Sequence, residues 1–154
     1  MIGPVSTRDG PINCLVADDH PAMLRAVTEI LQATGVQVIG EAADGEEALA
    51  KIETRKPDVA LVDIRMPRLS GVEVARRALR STPETAVILY SGYGDNALLL
   101  EALDAGARGF VLKEAPLVDL HRAIEIVAEG GTYVDPVLAG ALATSEAASK
   151  LRTL

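Results

Sequence analysis

The sequence predicts an α/β fold, a doubly wound, flavodoxin-like parallel sheet of five strands with helices on both faces. Three observations carry that expectation. Short runs rich in Val and Leu alternate five times with segments of helical periodicity. Apart from the second, Val36-Gln37-Val38-Ile39-Gly40-Glu41, the runs are apolar without interruption, as strands covered on both faces are. Four of the five end in a polar group: Asp18-Asp19 after Cys14-Leu15-Val16-Ala17, Asp63 after Val59-Ala60-Leu61-Val62, Ser91-Gly92 after Ala86-Val87-Ile88-Leu89-Tyr90, and Lys113 after Gly109-Phe110-Val111-Leu112. Open parallel sheets bind ligands outside the carboxyl ends of their strands, so these groups are expected to share one crevice. Right-handed crossovers and the strand order 2-1-3-4-5 place the first and third strands side by side, which brings Asp18 and Asp19 next to Asp63.

The first strand is predicted over residues 13–17 and a helix over 21–34, with Pro21 in the first turn, where its missing N–H costs nothing, and Gly35 past the end. Leu24, Val27, Ile30 and Leu31 give that helix one apolar face. A strand over 36–41 follows, then a helix that Asp44 caps and that Glu46 and Glu47 favour at the positive end of its dipole. That helix stops near Arg55, before Pro57. The third strand, 59–62, leads to a helix over 71–80 with Ser70 as its N-cap. The fourth, 86–90, leads to a helix opened by Asp95 or Asn96 and ended at Gly106. The fifth, 108–112, precedes a helix over 116–129 that stops at Gly130-Gly131. In the tail, Val137, Leu138, Ala141 and Leu142 recur at helical spacing ahead of an Ala- and Ser-rich stretch.

A chain of 154 residues, 49% of them hydrophobic, is long enough for one domain with a proper core. With no Trp and one Phe, that core has to be aliphatic. The formal charge of −7 argues against direct contact with nucleic acid, which needs clustered Lys and Arg, so a DNA role requires another module. The first eleven residues contain no apolar signal region, and no stretch reaches the roughly 20 apolar residues of a spanning helix, so a cytoplasmic protein without membrane contact is expected. Cys14 has no cysteine partner and reads as a small core residue.

Three carboxylates, a hydroxyl and an ammonium at one sheet edge suit reversible binding of a phosphoryl group. An isolated Asp is commonly a helix cap or turn former, but three converging carboxylates repel one another and call for a cation, Mg²⁺ or Mn²⁺. Asp63, at the end of the central strand, is the candidate nucleophile toward phosphorus. Asp19 and Asp63 are expected to hold the metal, with Asp18 helping directly or through water. Lys113 is expected to pair with a phosphoryl oxygen, or with Asp63 before modification. Ser91 is the hydroxyl expected to follow the new charge, and Gly92 leaves room for a donor.

Asp18-Asp19, Asp63-Ile64-Arg65-Met66-Pro67 with Gly71 following, Ser91-Gly92 and Gly109-Phe110-Val111-Leu112-Lys113, in that order and spacing, resemble the receiver domain of two-component response regulators. The resemblance runs from about Ile12 to Gly131. Gly109 to Pro116, together with Leu120, Ala123-Ile124, Val127-Ala128 and Gly130-Gly131-Thr132-Tyr133-Val134-Asp135-Pro136, is similar to the NarL/FixJ (LuxR-type) class, whose members usually continue into a helix-turn-helix domain.

The resemblance implies a sensor histidine kinase as phosphoryl source, the backbone carbonyl of Arg65 as a further metal ligand, and a homodimer favoured by phosphorylation. It also implies a switch in which an aromatic on the fifth strand, here Phe110, turns inward. Arg65 and Tyr93 fall where the family tunes loss of the phosphoryl group. The expected division is an N-terminal extension over 1–11, a receiver over 12–131, and a helix or linker over 132–154 toward a DNA-binding domain absent from this chain. The chain is then a phosphoacceptor that assists its own transfer and dephosphorylation rather than an enzyme acting on others. The alternative is a stand-alone interaction module acting without phosphorylation. A metal-dependent phosphatase is a poorer reading, because no second acid stands two residues after Asp63 to protonate a leaving group. His20 lacks a second His or Cys at ligand spacing and reads as a loop residue beside the acidic pair; His121 reads as a surface residue of the fifth helix.

Overall fold

The computed structural model describes residues 10–92, 94 and 96–142. The predicted alternation is realised as β1 (Asn13–Ala17), α1 (Pro21–Ala33), β2 (Gln37–Ala42), α2 (Gly45–Arg55), β3 (Val59–Asp63), α3 (Gly71–Ser81), β4 (Ala86–Ser91), α4 (Asn96–Asp104), β5 (Gly109–Leu112), α5 (Leu117–Ala128), β6 (Tyr133–Val134) and α6 (Pro136–Leu142). The sheet is parallel, with order β2-β1-β3-β4-β5-β6. Its first five strands follow the expected order. The sixth, which sequence patterning did not indicate, pairs Tyr133 with Gly109 and Val134 with Phe110. A strand of two residues carries no periodicity to read. Asp95, Tyr93, most of the N-terminal extension and the Ala- and Ser-rich end of the tail lie outside the described residues.

Alternate residues of each strand serve opposite faces, and the two resulting cores explain why the inner strands β1, β3, β4 and β5 are apolar almost throughout, whereas the edge strand β2 exposes Gln37 and Glu41. Leu15, Ala60, Val62, Leu89 and Phe110 pack on one side with residues of α2, α3, α4 and α6. Cys14, Val16, Leu61, Ile88 and Val111 pack on the other with Val27 and Leu31 of α1 and Leu120, Ile124 and Val127 of α5. Both layers are mainly aliphatic, as the composition requires; among the described residues Phe110 is the aromatic most deeply enclosed.

Helix starts obey the predicted caps. The Asp44 carboxylate accepts from the Glu47 N–H at 2.8 Å, and the Glu47 carboxylate accepts from the Ala43 N–H at 2.7 Å, so the two satisfy each other's ends. Ser70 Oγ accepts from the Glu73 N–H at 3.2 Å. The open edge of β2 is covered from α2. Lys51 Nζ donates to the Glu41 carbonyl at 2.6 Å and Arg55 to the Ile39 carbonyl at 2.5 Å. Those are outward-facing acceptors that another strand could otherwise pair with. Gly40, between them, makes way for the guanidinium, since a Cβ there would lie 2.7 Å from Arg55 NH1.

Cys14 is fully buried, and burial pushes its thiol up to about 12. Native protein at neutral pH is therefore expected not to react with an aromatic disulfide reagent on the timescale that unfolded protein does. Rapid reaction of native protein would show that β1 opens.

Candidate functional site

The register sets the site. Ala17 lies beside Val62, Asp63 beside Tyr90, and Ser91 beside Leu112, so the carboxyl ends of β1, β3, β4 and β5 are level. The residues that follow or end these strands, Asp18, Asp63, Ser91 and Lys113, therefore meet at one edge. Two loops hold that edge in place. The Asp18 N–H donates to the Ala42 carbonyl at 3.0 Å, and the Lys113 N–H donates to the Ser91 carbonyl at 2.7 Å. The start of α3 packs directly on the end of β3, where the Gly71 N–H donates to the Ile64 carbonyl at 2.8 Å. Only a residue without a side chain fits there, because a Cβ at Gly71 would collide with the Asp63 carbonyl oxygen and the Ile64 Cα.

Asp18 and Asp63 are nearly inaccessible, at 2% and 4% exposure. Lys113 Nζ donates to Asp63 Oδ2 at 2.9 Å and to Asp18 Oδ2 at 3.3 Å, joining two buried carboxylates through one ammonium. The Arg65 N–H donates to Asp63 Oδ1 at 3.1 Å, which keeps that peptide beside the acidic group. Burial raises the Asp63 carboxyl above the ordinary range, against the hydrogen bonds from Lys113 and Arg65, which favour its charged form. Burial alone would lower Lys113, but its hydrogen bond to Asp63 and the charges of Asp63 and Asp18 carry it above the usual lysine value. The cluster is thus a fixed cation between two crowded anions.

Asp19 extends the cluster toward solvent. Ligand atoms of Asp18, Asp19, His20 and Asp63 lie within 4.8 Å of one another. Asp19 Oδ1 is buried and has no hydrogen-bond partner, although His20 Nδ1 is 3.1 Å away. An orphaned carboxylate oxygen beside two more carboxylates is the donor set of a hard divalent cation, so the residues present fit a metal of that class.

Among the other expected residues, Ser91 is buried at the end of β4. Gly92 is exposed, with nothing within 4 Å of where a Cβ would stand, so the edge above it is open. Phe110 is fully enclosed in the core shared with Leu99 and Leu138. His121 lies on α5 beside Thr34, 3.2 Å from its hydroxyl, away from the acidic cluster. Tyr93 lies outside the described residues.

Sequence reasoning puts His20 in the loop beside the acidic pair without showing its contact there, and it misses Tyr90 and Asp135. His20 caps α1 without a side-chain bond to the helix, and its ring instead approaches Asp18 Oδ1 at 3.2 Å. Tyr90 lies under the Lys113 ammonium, 5.2 Å from Nζ to ring centroid. Asp135 is buried and accepts from the Leu112 N–H at 3.2 Å and the Val137 N–H at 3.0 Å, tying the strand that delivers Lys113 to α6. Its place immediately before Pro136 is the one signal that could have marked it as a cap.

Comparison with known proteins agrees with this geometry. Residues 14–125 match the family described as "Response regulator receiver domain". The chain is 38% identical over 133 residues to the response regulator GacA of Pseudomonas viridiflava, covering 86% of this chain and 62% of that protein. It thus spans less than two thirds of the length of this curated relative. The signal receiver domain of the response regulator NarL from Mycobacterium tuberculosis superimposes with a TM-score of 0.75 at 39% identity, covering 79% of this chain and 99% of that one. The isolated REC domain of RcsB from Salmonella enterica serovar Typhimurium, solved with the phosphomimetic BeF3⁻, gives a TM-score of 0.75 at 25% identity over 84% of this chain and 97% of that one.

Proposed function

Since the chain belongs to the response regulator receiver domain family, with relatives of the NarL class, we propose that Asp63 is its phosphoacceptor. The phosphoryl source is the phosphohistidine of a sensor histidine kinase. One observation carries the reading: a buried carboxylate at the end of the central strand, bonded at 2.9 Å by a lysine that also holds a second buried carboxylate. A carboxylate oxygen of Asp63 attacks phosphorus in line, and the P–N bond to the donor imidazole breaks with its electron pair left on nitrogen. The product is an acyl phosphate; attack of water on phosphorus later returns the carboxylate and inorganic phosphate. The chain thus takes part in its own transfer and hydrolysis without turning over another substrate.

Asp18, Asp19, Asp63 and the Arg65 backbone carbonyl would hold Mg²⁺, or Mn²⁺ in its place. When bound, the cation neutralises charge on the transferring group. Lys113 keeps its ammonium on the phosphoryl oxygens. Ser91, at the end of the adjacent strand, donates to the new anion, and the open space above Gly92 admits the donor. The new charge, about −1.5 to −2, draws Ser91 and its loop toward Asp63. Phe110 in the core beneath repacks with that loop, which changes the surface of α4, β5 and α5.

The reading also takes in the whole regulator. Residues 12–131 form the body of the receiver, β6 and α6 extend its sheet and core, and the chain from 132 on leads toward a DNA-binding effector domain through which the cytoplasmic protein controls transcription as a phosphorylation-favoured homodimer. Among the described residues no helix is long and apolar enough to cross a membrane. The metal assignment has its own test. Asp19→Asn is expected to weaken Mg²⁺ binding by roughly 10-fold or more in a calorimetric titration, since it replaces one charged ligand. An unchanged isotherm would remove Asp19 from the ligand set.

A further inference from the structure

Any large apolar side chain would fill the core position that Tyr90 occupies, so an aromatic there has to be explained by what its ring face meets. Tyr90 is the register partner of Asp63 and immediately precedes Ser91, so it stands beside the proposed acceptor and next in the chain to the proposed following hydroxyl. Its residue is 6% exposed, and its hydroxyl donates to Met23 Sδ at 3.6 Å, pinning the ring against α1. Above the ring sits the Lys113 ammonium, 5.2 Å from the centroid, within the range in which an aromatic face attracts a cation. Burial raises the phenol above its usual value, so the ring is neutral at working pH. Lys113 therefore has two carboxylates in front of it and a π face behind. The ammonium is held in front by Asp63 and Asp18 and backed by the ring, and one displaced toward solvent would lose both carboxylates.

We infer that Tyr90 is a positioning residue whose ring face holds the Lys113 ammonium toward Asp63 and, after transfer, toward the phosphoryl oxygens. The inference rests on the reading of Asp63 as acceptor and Lys113 as the phosphoryl-binding cation. An aliphatic residue at 90 would preserve the core yet leave the ammonium without that support.

The test compares wild type, Tyr90→Phe and Tyr90→Leu by the rate of mass gain with Mg²⁺ and acetyl phosphate, each also in a Lys113→Met background. A ring without a hydroxyl should keep most of the rate, and Tyr90→Leu should slow it by about 3- to 30-fold, the range a cation–π contact spans. In the Lys113→Met background Tyr90→Leu should add nothing. Equal rates for wild type and Tyr90→Leu, or the same loss in both backgrounds, would overturn the inference, the second because it marks a packing effect. A second readout does not need labelling: the ε-methylene protons of Lys113 should be shifted upfield by the ring in wild type and Tyr90→Phe, and not in Tyr90→Leu. Failure of wild type to label would refute the acceptor reading, while an unshifted Lys113 methylene in wild type would refute the role of Tyr90.

Discussion

Asp63→Asn is expected to leave the fold intact and to abolish phosphoryl labelling. Asn has nearly the shape of Asp and can still accept from the Arg65 N–H, which now meets Asp63 Oδ1 at 3.1 Å. What it lacks is a nucleophilic carboxylate oxygen, and no change elsewhere supplies one. Stability shifts in a direction fixed by burial. The Asp63 carboxyl is raised by desolvation, so its protonated form is the one the fold favours. The stability tied to that proton is fully present below the ordinary carboxylate range and is lost as pH rises through the raised value, leaving a penalty at neutral pH. Asn removes the penalty, and Lys113 retains Asp18 at 3.3 Å as a partner. The metal-free variant should therefore melt at or above the wild-type temperature at neutral pH, with the difference shrinking on acidification. Far-UV circular dichroism should be unchanged and no adduct should appear with any donor. An adduct on the variant would move the acceptor to another residue.

Lys113→Met should cost both stability and rate. Methionine replaces the aliphatic stem but leaves Asp18 and Asp63, at 2% and 4% exposure, facing each other with no cation between them. Breaking a buried ion pair by removing one partner typically costs several kcal/mol. Lys113 is 18% exposed and its surroundings partly wet, so about 2 kcal/mol is expected in a urea titration of metal-free protein. Mg²⁺ should narrow that gap, because it relieves the same repulsion. Labelling should slow by roughly 100-fold, the loss typical when one fixed charge donor to a developing anion is removed. A variant as stable as wild type without metal, and labelled as fast with it, would mean that the ammonium is a bystander.

These effects were legible because the sheet is covered on both faces. A strand that must be apolar at every position announces its end by the first residue that is not. That is how Asp18, Asp63 and Lys113 stand out in the sequence, as does the hydroxyl of Ser91 at the end of β4. The caps Asp44 and Ser70 were readable for a similar reason, each being a polar residue directly before a periodic apolar run. Other features depend on direction in space rather than position in the chain. Tyr90 looks like any other residue of an apolar strand until the Lys113 side chain is seen to fold back over it from the neighbouring strand. His20 is the loop residue expected beside the acidic pair, but the turn of its ring toward Asp18 depends on the fold. β6 has two residues and no pattern; it exists because Asp135 anchors the segment after α5 to the Leu112 amide and because Tyr133 reaches the Arg108 carbonyl. Long-range contacts of that kind leave no trace in local periodicity.

The most direct measurement is the site of the modification. Protein incubated with Mg²⁺ and acetyl phosphate would be reduced with borohydride, which converts an acyl phosphate to an alcohol, then digested and sequenced by mass spectrometry. Reduction confined to Asp63 is the expected result. Reduction at Asp18 or Asp19, or none in protein shown to be folded and to bind Mg²⁺, would contradict the assignment of Asp63 as the phosphoacceptor.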